Sequence, residues 1–528
     1  MCKCIIQGLL ICINLSTSLR SSLYFCSTPL NCSCEQGCFS GVLEKAKYLF
    51  IFYTGFLPLL GNCKANKAKN TAGHNHCKGN EGVTELDQAV LHVRDGSEAS
   101  SAPKVSQWQA DVPVLASPLH TIDPFRYASL RKPTVDVQIS TEVLKVVGTQ
   151  DNMIAIADAF FNSVATRIPI VSVPRFNERL PSLSLSTPAD FSALCLCMYL
   201  SQQHPLSQAE SMQSSLYVTA KSFISLLEAT SYQSLEVVQC RLLLTFYEMG
   251  HGIYPAASIS IGACARMARY IGLHKANKQT LQPGSTRIDA EERRRVWWAV
   301  VNLERFINLC SGDALFGTDD PQAQDSLPIE DSIWLQRQQT TNHTLSTTSD
   351  VTVGQFAREC QVSHLVGRVL RHVFDPTSDP AFQANEALQL ERTLMAFMPL
   401  LMDEELQFGK YCAALGICSS ALFTLYDSAM SRLQENSEVD QLRIFSSLEP
   451  LSRRIVDFSG QLFGKAEDID YETLSPYVPY SLYQAAAVQC QLRKKTGDGV
   501  YETGLDSLKQ VLRYFNKRWL IAGIVTFL

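Results

Sequence analysis

The sequence predicts an all-α fold for the greater part of this chain, and three observations lead to that prediction. Beyond Asp151, apolar residues recur with a helical period in almost every stretch that can be read. No stretch shows the sustained alternation of a β-strand, and the sequence contains neither a fixed-period repeat nor a glycine-rich phosphate loop. With 528 residues, 46% of them apolar, the chain can bury a large core. We therefore expect a large multi-helix domain preceded by an irregular N-terminal segment and a linker.

Charge and cysteine usage narrow the class of protein. The formal net charge is −5, so there is no overall basic field that would hold nucleic acid, and such a contact would need a local patch. Nine of the 18 cysteines precede residue 78, and the others are scattered through apolar helical stretches, where cysteine behaves as a small hydrophobic residue. This usage is typical of a reducing compartment and not of a disulfide scaffold.

Residues 1–80 form a segment of different character, rich in cysteine and in apolar residues. Its first residues have the outline of a secretory signal peptide, and a second apolar run covers Tyr48–Leu60, but neither is suited to a membrane anchor. Cys34 and Cys38 have the spacing of one zinc-ligand pair, yet no matching second pair follows. We therefore predict no metal ligand and no membrane association here.

Residues 81–147 are predicted to be a disordered or extended linker, because the sequence turns polar and is interrupted by helix breakers. Order is expected to resume near Glu142, and residues 148–528 are assigned to one helical domain. Within it, the Thr/Gln/Asn-rich residues 336–352 are expected to form a mobile loop. Helices are predicted at 153–164, 189–200, 208–231, 234–247, 256–272, 289–306, 354–374, 384–402, 409–433, 440–463, 481–494 and 505–519.

The helix predicted at 289–306 is the most distinctive stretch of the chain, with Asp289 as its candidate N-cap. Its apolar residues recur on one face, which should be buried: Val296, Val300, Leu303 and Ile307. Its signature residues are Arg293, Arg294, Arg295, Trp297 and Trp298. The arginines are expected at the edge of the buried face, either as a solvated or salt-bridged surface or as an anion or partner site. We favour a structural role for the signature residues.

The sequence contains no catalytic constellation. Neither G-x-S-x-G nor H-E-x-x-H occurs, and no cysteine has the surroundings of a catalytic nucleophile. His364 and His372 lie on one predicted helix and are expected to be a buried or surface pair, not metal ligands. The acidic pairs at 319–320 and 330–331 are predicted to serve turns and helix caps. We therefore expect no enzymatic activity, no catalytic residue and no cofactor in this chain.

Several short stretches follow one another in an order that is more specific than any one of them. They are FFNSVATRIPIV at 160–171, ACARMARYIGL at 263–273, EERRRVWWAVVNLER at 291–305, LPIED at 327–331, FARECQVSHLVGRVLRHV at 356–373, PYSLYQAA at 479–486 and RWLIAG at 518–523. In this order they resemble the middle homology region of fungal zinc-cluster transcription factors, which is also called the fungal-specific transcription factor domain. The resemblance covers about the last 370 residues.

The resemblance implies an all-helical regulatory domain in a nuclear regulator of transcription, one that controls a metabolic or secondary-metabolite gene cluster. It further implies homodimers or regulatory protein partners, a small-molecule effector, and promoter DNA bound by a separate zinc cluster. That cluster has six cysteines in two C-x2-C-x6-C-like groups with basic residues between the first of them. The nine N-terminal cysteines of this chain do not reproduce the spacing, so no residue here supports DNA binding. Zinc is expected only if such a cluster is encoded upstream.

Two explanations of this departure stay open. The chain has lost its DNA-reading module, or its first 80 or so residues are a mispredicted start, which their unusual character favours. The main hypothesis is a fungal transcriptional regulator that acts through its helical domain. The alternatives are a co-regulator that does not bind DNA, and a helical protein with a true secretory or membrane-targeting N-terminus.

Overall fold

A computed structural model of the chain describes residues 137–527, apart from 181–187, 208–210, 231–232, 276–285, 336–342, 349, 409–412, 433–437 and 464–469. The expectations for the cysteine-rich segment, its zinc-ligand pair and most of the linker fall on residues 1–136 and lie outside the described residues. The same holds for residues 336–342 of the predicted loop.

Within the described residues the chain is all-α, which confirms the fold class predicted from periodicity. Fifteen α-helices and no β-strand are found there. The helices are α1 (Thr141–Val147), α2 (Gln150–Asn162), α3 (Val173–Arg179), α4 (Ala189–Ser201), α5 (Ser215–Ala229), α6 (Leu235–Gly250), α7 (Ala256–Tyr270), α8 (Arg287–Ser311), α9 (Asp331–Leu335), α10 (Gln355–Phe374), α11 (Pro380–Phe408), α12 (Ala413–Arg432), α13 (Glu438–Phe463), α14 (Val478–Thr496) and α15 (Gly499–Asn516). Short 3-10 segments occur at Val164–Thr166, Leu273–Lys275, Tyr471–Thr473 and Leu520–Phe527.

Serine caps explain where two helices begin. α1 lies inside the range that we assign to the linker, and the hydroxyl of Ser140 accepts a hydrogen bond from the amide of Val143 at 3.4 Å. α5 begins seven residues later than the predicted 208, because the Ser214 hydroxyl accepts from the amide of Tyr217 at 3.2 Å. A capping side chain satisfies an amide that the helix itself cannot, so it fixes the boundary. The hydrophobic period alone does not show which residue caps a helix.

The packing places α8 at the centre of the helical body. α8 contacts α6 and α7, which precede it, and α10 and α12, which follow it. From there the contacts continue outward, from α6 to α4 on one flank, and on the other from α12 to α14 and then from α14 to α15. As a result, every residue of α8 from Val296 to Leu309 is buried. The prediction of a single buried face was therefore too narrow, because neighbouring helices and loops enclose the second half of α8.

Helix α12 is apolar and long enough, by length and composition, to cross a membrane. Its side chains are nevertheless buried without interruption from Ala413 to Phe423. They pack against α10, α11 and α14. A helix that is apolar all round is expected in the core of a large protein as well as in a membrane, and the contacts of α12 are those of a core helix.

Gly250, the last residue of α6, allows the indole of Trp519 to pack directly against the helix backbone. A Cβ atom at Gly250 would lie 2.2 Å from Cε3 of Trp519. We expect Gly250→Ala to lower the free energy of unfolding by about 1–3 kcal/mol, the usual effect of overpacking.

Urea unfolding followed by circular dichroism measures this effect, and Gly262→Ala is the matched control. Gly262 lies within α7, and a Cβ atom there would meet nothing within 4 Å. Because alanine favours a helix interior, this control should be neutral or stabilising by up to about 1 kcal/mol. Equal losses of stability in the two variants would contradict the packing of Trp519 on Gly250.

Candidate functional site

The signature helix α8 begins with a capping box. The hydroxyl of Thr286 accepts a hydrogen bond from the amide of Asp289 at 3.1 Å, and the Asp289 carboxylate accepts one from the amide of Thr286 at 3.1 Å. Asp289 is therefore the N3 residue, three positions after the N-cap Thr286, and the prediction that it is the N-cap was wrong. The spacing Thr-x-x-Asp is the sequence signal that identifies the true cap.

Arg295 is completely buried, with an exposed side-chain fraction of 0%. Its Nε donates to Oε1 of Glu291 at 3.0 Å, one terminal nitrogen donates to the carbonyl of Ile329 at 2.6 Å, and the other pairs with Asp331. The guanidinium also lies over the ring of Trp334, 4.1 Å from its centroid. These contacts bind the start of α9 to α8.

The other two arginines of the triplet have different surroundings. Arg294 is nearly buried and pairs with Glu291. Arg293 is half-buried, and its guanidinium donates to the carbonyl of Ile271 at 2.8 Å. The triplet is thus not a solvated face, since each guanidinium reaches a carboxylate or a carbonyl of the same chain. The structural role of the signature arginines stays a prediction, which unfolding and reporter measurements test below.

The two signature tryptophans connect α8 to different parts of the body. Trp298 is fully buried, and its indole Nε1 donates to the carbonyl of Ser326 at 2.9 Å. Trp297 lies against the ring of His274, with ring centroids 6.2 Å apart. A buried tryptophan both fills volume and needs a partner for its N–H group, and Ser326 supplies that partner for Trp298.

Glu292 links the first turns of α8 to α3 and α6. Its carboxylate accepts hydrogen bonds from the amide of Ser172 at 2.8 Å and from Nε2 of Gln239 at 2.9 Å, and it pairs with Arg175. No sequence pattern around Glu292 indicates this role. The ion pairs of Glu291 do have a sequence signal. Glu291 stands three residues before Arg294 and four before Arg295, the spacings at which helix side chains meet.

The acidic pairs predicted to serve turns and caps also form ion pairs. Asp320 accepts hydrogen bonds from Arg305 at 3.2 Å and from Arg371 at 2.9 Å. Asp331 pairs with Arg295, as described above. Arg305 is buried, and its guanidinium lies 3.8 Å from the ring centroid of Phe316. Asp320 therefore holds the segment between α8 and α9 to the central helix, and Asp331 holds the first turn of α9 to it, which adds to the predicted turn role.

Glu359 on α10 is a buried carboxyl group that faces Asn302 on α8. Its Oε1 accepts a hydrogen bond from Nδ2 of Asn302 at 3.1 Å. Burial raises the pKa of Glu359 to about 8, although the Asn302 hydrogen bond and the charge of Arg167 act in the opposite direction. The negative charge of Asp331 adds to the rise.

The raised pKa of Glu359 predicts a pH dependence of stability. In the unfolded chain its pKa returns to about 4.5. Between about pH 4.5 and pH 8 the folded state therefore binds more protons than the unfolded state. The stability contributed by this group is fully present below the unfolded pKa and is lost as the pH rises through the folded pKa. The loss has a slope of up to about 1.4 kcal/mol per pH unit.

Glu359→Gln should remove this part of the slope, because glutamine keeps an acceptor for Asn302 but does not titrate. The measurement is urea unfolding of both proteins at pH 6 and pH 8. The difference in stability between the two pH values should be larger for the wild type. An equal difference in both proteins would contradict the burial of a protonated Glu359.

The two histidines singled out in the sequence have separate environments. His372 is buried, and its Nδ1 lies 3.0 Å from Oε2 of Glu386. His364 is half-buried. Among the described residues, no group of three or more His, Cys, Asp or Glu side chains could hold a metal ion.

A cavity of about 440 Å³ lies where the C-terminal ends of α6 and α8 meet the beginning of α14. Its wall includes Tyr254, Phe306, Cys310, Pro479, Tyr480 and Tyr483. No charged side chain is found among the described residues that line it. The sequence does not indicate this cavity, because its two walls are some 170 residues apart in the chain. The sequence feature that corresponds to one of these walls is the high proportion of aromatic residues in PYVPYSLY at 476–483.

Comparison with known proteins identifies the domain that contains the signature helix. Residues 157–398 match the model of the fungal specific transcription factor domain. Transcription factor BOA15 of Botryotinia fuckeliana (strain B05.10) is 37% identical over 168 residues, which are 31% of this chain and 90% of that protein. The chain belongs to the fungal transcription factor family.

A second member of the fungal transcription factor family shows a more limited match. Transcription factor tazR of Aspergillus terreus (strain NIH 2624 / FGSC A1156) is 27% identical over 155 residues, which are 28% of this chain and 24% of that protein. No solved structure matches the chain. The matched domain ends within α11, so the cavity has one wall in the fungal transcription factor domain and the other in helices beyond it.

Proposed function

We propose that this chain regulates transcription in the fungal nucleus and controls the genes of one metabolic pathway, such as a secondary-metabolite cluster. The observation that carries the proposal is the match of residues 157–398 to the fungal specific transcription factor domain. The names of both relatives describe transcription factors, and one of them is matched over 90% of its length. In this proposal the chain has no catalytic activity.

The proposal assigns separate tasks to the parts of the chain. Residues 148–528 form the regulatory domain, which binds a second copy of the chain or another regulatory protein, and a small-molecule effector. Residues 81–147 link it to the atypical segment 1–80. Promoter DNA is reached through a zinc cluster encoded upstream or through a partner protein, and zinc is required only in the first case. No membrane association is proposed.

A reporter experiment tests the regulatory function directly. The full chain is fused to a heterologous DNA-binding module, and the binding site of that module is placed before a reporter gene in a fungal host. We expect the fusion to raise or lower reporter expression relative to the DNA-binding module alone. An unchanged reporter, with the fusion shown to be full-length and nuclear, would contradict the proposal.

The second candidate is a co-regulator that does not itself bind DNA. The observation that favours it is the spacing of the N-terminal cysteines, which does not reproduce a zinc cluster. For the purified chain, the test is binding to promoter DNA at increasing salt concentrations, since contacts with phosphates weaken steeply with salt. A co-regulator should show no salt-sensitive binding, whereas a DNA-binding regulator should show it.

A further inference from the structure

The cavity between α6, α8 and α14 has the size of a small-molecule site. Its volume of about 440 Å³ falls in the range of roughly 300–1,000 Å³ that is usual for ligand pockets. Phe306 on α8 forms one side, and Tyr480 and Tyr483 on α14 form another. The ring of Phe306 is itself held edge-on against Tyr477, with centroids 4.8 Å apart. The aromatic wall is therefore supported by the core.

Among the described residues that line the cavity, the polar side-chain groups are few and uncharged. They are the hydroxyls of Tyr254, Tyr480 and Tyr483, the thiol of Cys310 and the hydroxyl of Ser311. Burial raises the pKa of Tyr480 and of Cys310, so both groups stay protonated at neutral pH and can act as donors. An ionised ligand would lose its hydration here without meeting an opposite charge from the described wall residues, which is strongly unfavourable.

We propose that this cavity binds a neutral, mainly apolar small molecule that has a ring system and a hydrogen-bond acceptor, such as a ketone oxygen. The rings pack between the aromatic walls, and the acceptor takes a hydrogen bond from a tyrosine hydroxyl. Within the described part of the chain, no protein group is hydrogen-bonded to the hydroxyl of Tyr480 or Tyr483, which leaves both for the ligand. Apolar walls with a few convergent polar groups are the usual composition of such a site.

Two other cavities of similar volume have a different chemistry. One, of about 450 Å³, is lined by His372, Glu391, Arg432 and Arg443 among others. The second, of about 390 Å³, includes Arg167 in its wall. Their charged groups favour water or polar solutes over an apolar molecule. Of these three cavities, it is therefore the one beside Phe306 whose described lining favours an apolar neutral ligand.

The location of the cavity gives the ligand a way to affect the whole domain. One wall belongs to the segment matched by the fungal specific transcription factor domain, and the other belongs to α14 and the C-terminal segment. A molecule that bridges the two walls stabilises the arrangement in which they lie together, because it binds that arrangement and not an opened one. This regulatory meaning rests on the proposed function, whereas the binding itself does not.

The test is binding of a neutral fluorescent ketone, 6-propionyl-2-dimethylaminonaphthalene, to the purified full chain. We expect saturable one-to-one binding with a blue shift of the emission. A matched pair of competitors then tests the charge selection: 2-acetylnaphthalene should displace the probe, and 2-naphthoate, which has the same rings and a carboxylate, should not. Absence of saturable binding, or equal displacement by both competitors, would overturn the proposal.

Variants locate the binding in this cavity. Tyr480→Phe and Tyr483→Phe remove hydroxyls at constant ring size, and loss of the one that donates to the ketone should weaken binding by roughly twofold to tenfold. Tyr199→Phe, outside the cavity, should leave binding unchanged. Cys310→Phe should fill the space and abolish binding, and Cys490→Phe, elsewhere on α14, should not.

Circular dichroism establishes that each variant is folded before binding is compared. Unchanged binding to folded Cys310→Phe would overturn the location. If that variant does not fold, unchanged binding to the double variant Tyr480→Phe/Tyr483→Phe overturns it instead. These measurements need neither DNA nor a reporter gene, so a negative result here leaves the reporter experiment valid, and a silent reporter leaves the binding result valid.

Discussion

Arg295→Leu is expected to lower the free energy of unfolding of the full chain by about 3–5 kcal/mol, the usual effect of breaking a buried ion pair by removing one partner. The guanidinium of Arg295 is the partner of Glu291 and Asp331 and of the Ile329 carbonyl. Glu291 is itself 3% exposed, so water cannot replace the lost partner. Leucine also lacks the planar group that lies over Trp334.

The triplet supplies its own control for this prediction. Arg293→Leu removes a half-buried arginine whose guanidinium donates a hydrogen bond to the carbonyl of Ile271, and we expect an effect of about 1 kcal/mol or less. Arg295→Lys should recover only part of the loss, because an ammonium group cannot reproduce the forked contacts of a guanidinium. The measurement is urea unfolding of the three variants. Similar destabilisation by Arg293→Leu and Arg295→Leu would contradict the different environments of the two arginines.

Trp298→Ala should have an effect of the same size, about 3–5 kcal/mol. The side chain of Trp298 is fully buried in the most enclosed part of α8, and alanine would leave a large void there. The change also leaves the carbonyl of Ser326 without the indole N–H that it accepts from. Both effects act against the packing of the loop before α9 on the central helix.

Two further variants define the origin of that loss. Trp298→Phe keeps most of the ring but not the hydrogen bond, so it should be clearly less harmful than alanine. Ile259→Ala, on the exposed side of α7 with 69% of the residue accessible, should change stability by no more than about 0.5 kcal/mol. Thermal and urea unfolding of the three proteins measure the order. A Trp298→Ala protein as stable as Ile259→Ala would contradict the central position of this residue.

The helical fold could be predicted because it depends on a pattern that is local in sequence. α4 and α10 were placed within one residue at each end, since a proline and a glycine mark their starts and apolar residues fill their lengths. The predicted N-cap of α8 is three residues late, because Thr286 and Asp289 belong to one capping motif in which Thr286 is the N-cap. The same local information identified the Arg and Trp residues of α8 as distinctive.

The environment of those residues could not be predicted, because it depends on contacts between distant parts of the chain. Arg295 meets Ile329 and Asp331, which are 34 and 36 residues away. The cavity is even harder to predict from the sequence, because Phe306 and Tyr480 become neighbours only when α14 packs near α8. A helical period states which residues are buried but not which helices bury them. That assignment requires the tertiary structure.

The central claim is that the signature residues of α8 maintain the regulatory domain and do not themselves contact a partner. The most direct measurement is reporter output per folded molecule for the fusion carrying Arg294→Ala or Trp298→Ala, with the folded amount measured in the same cells. We predict that output falls only in proportion to the loss of folded protein. Normal folding with lost regulatory output would contradict the claim and would identify the arginine edge of α8 as a surface for a partner.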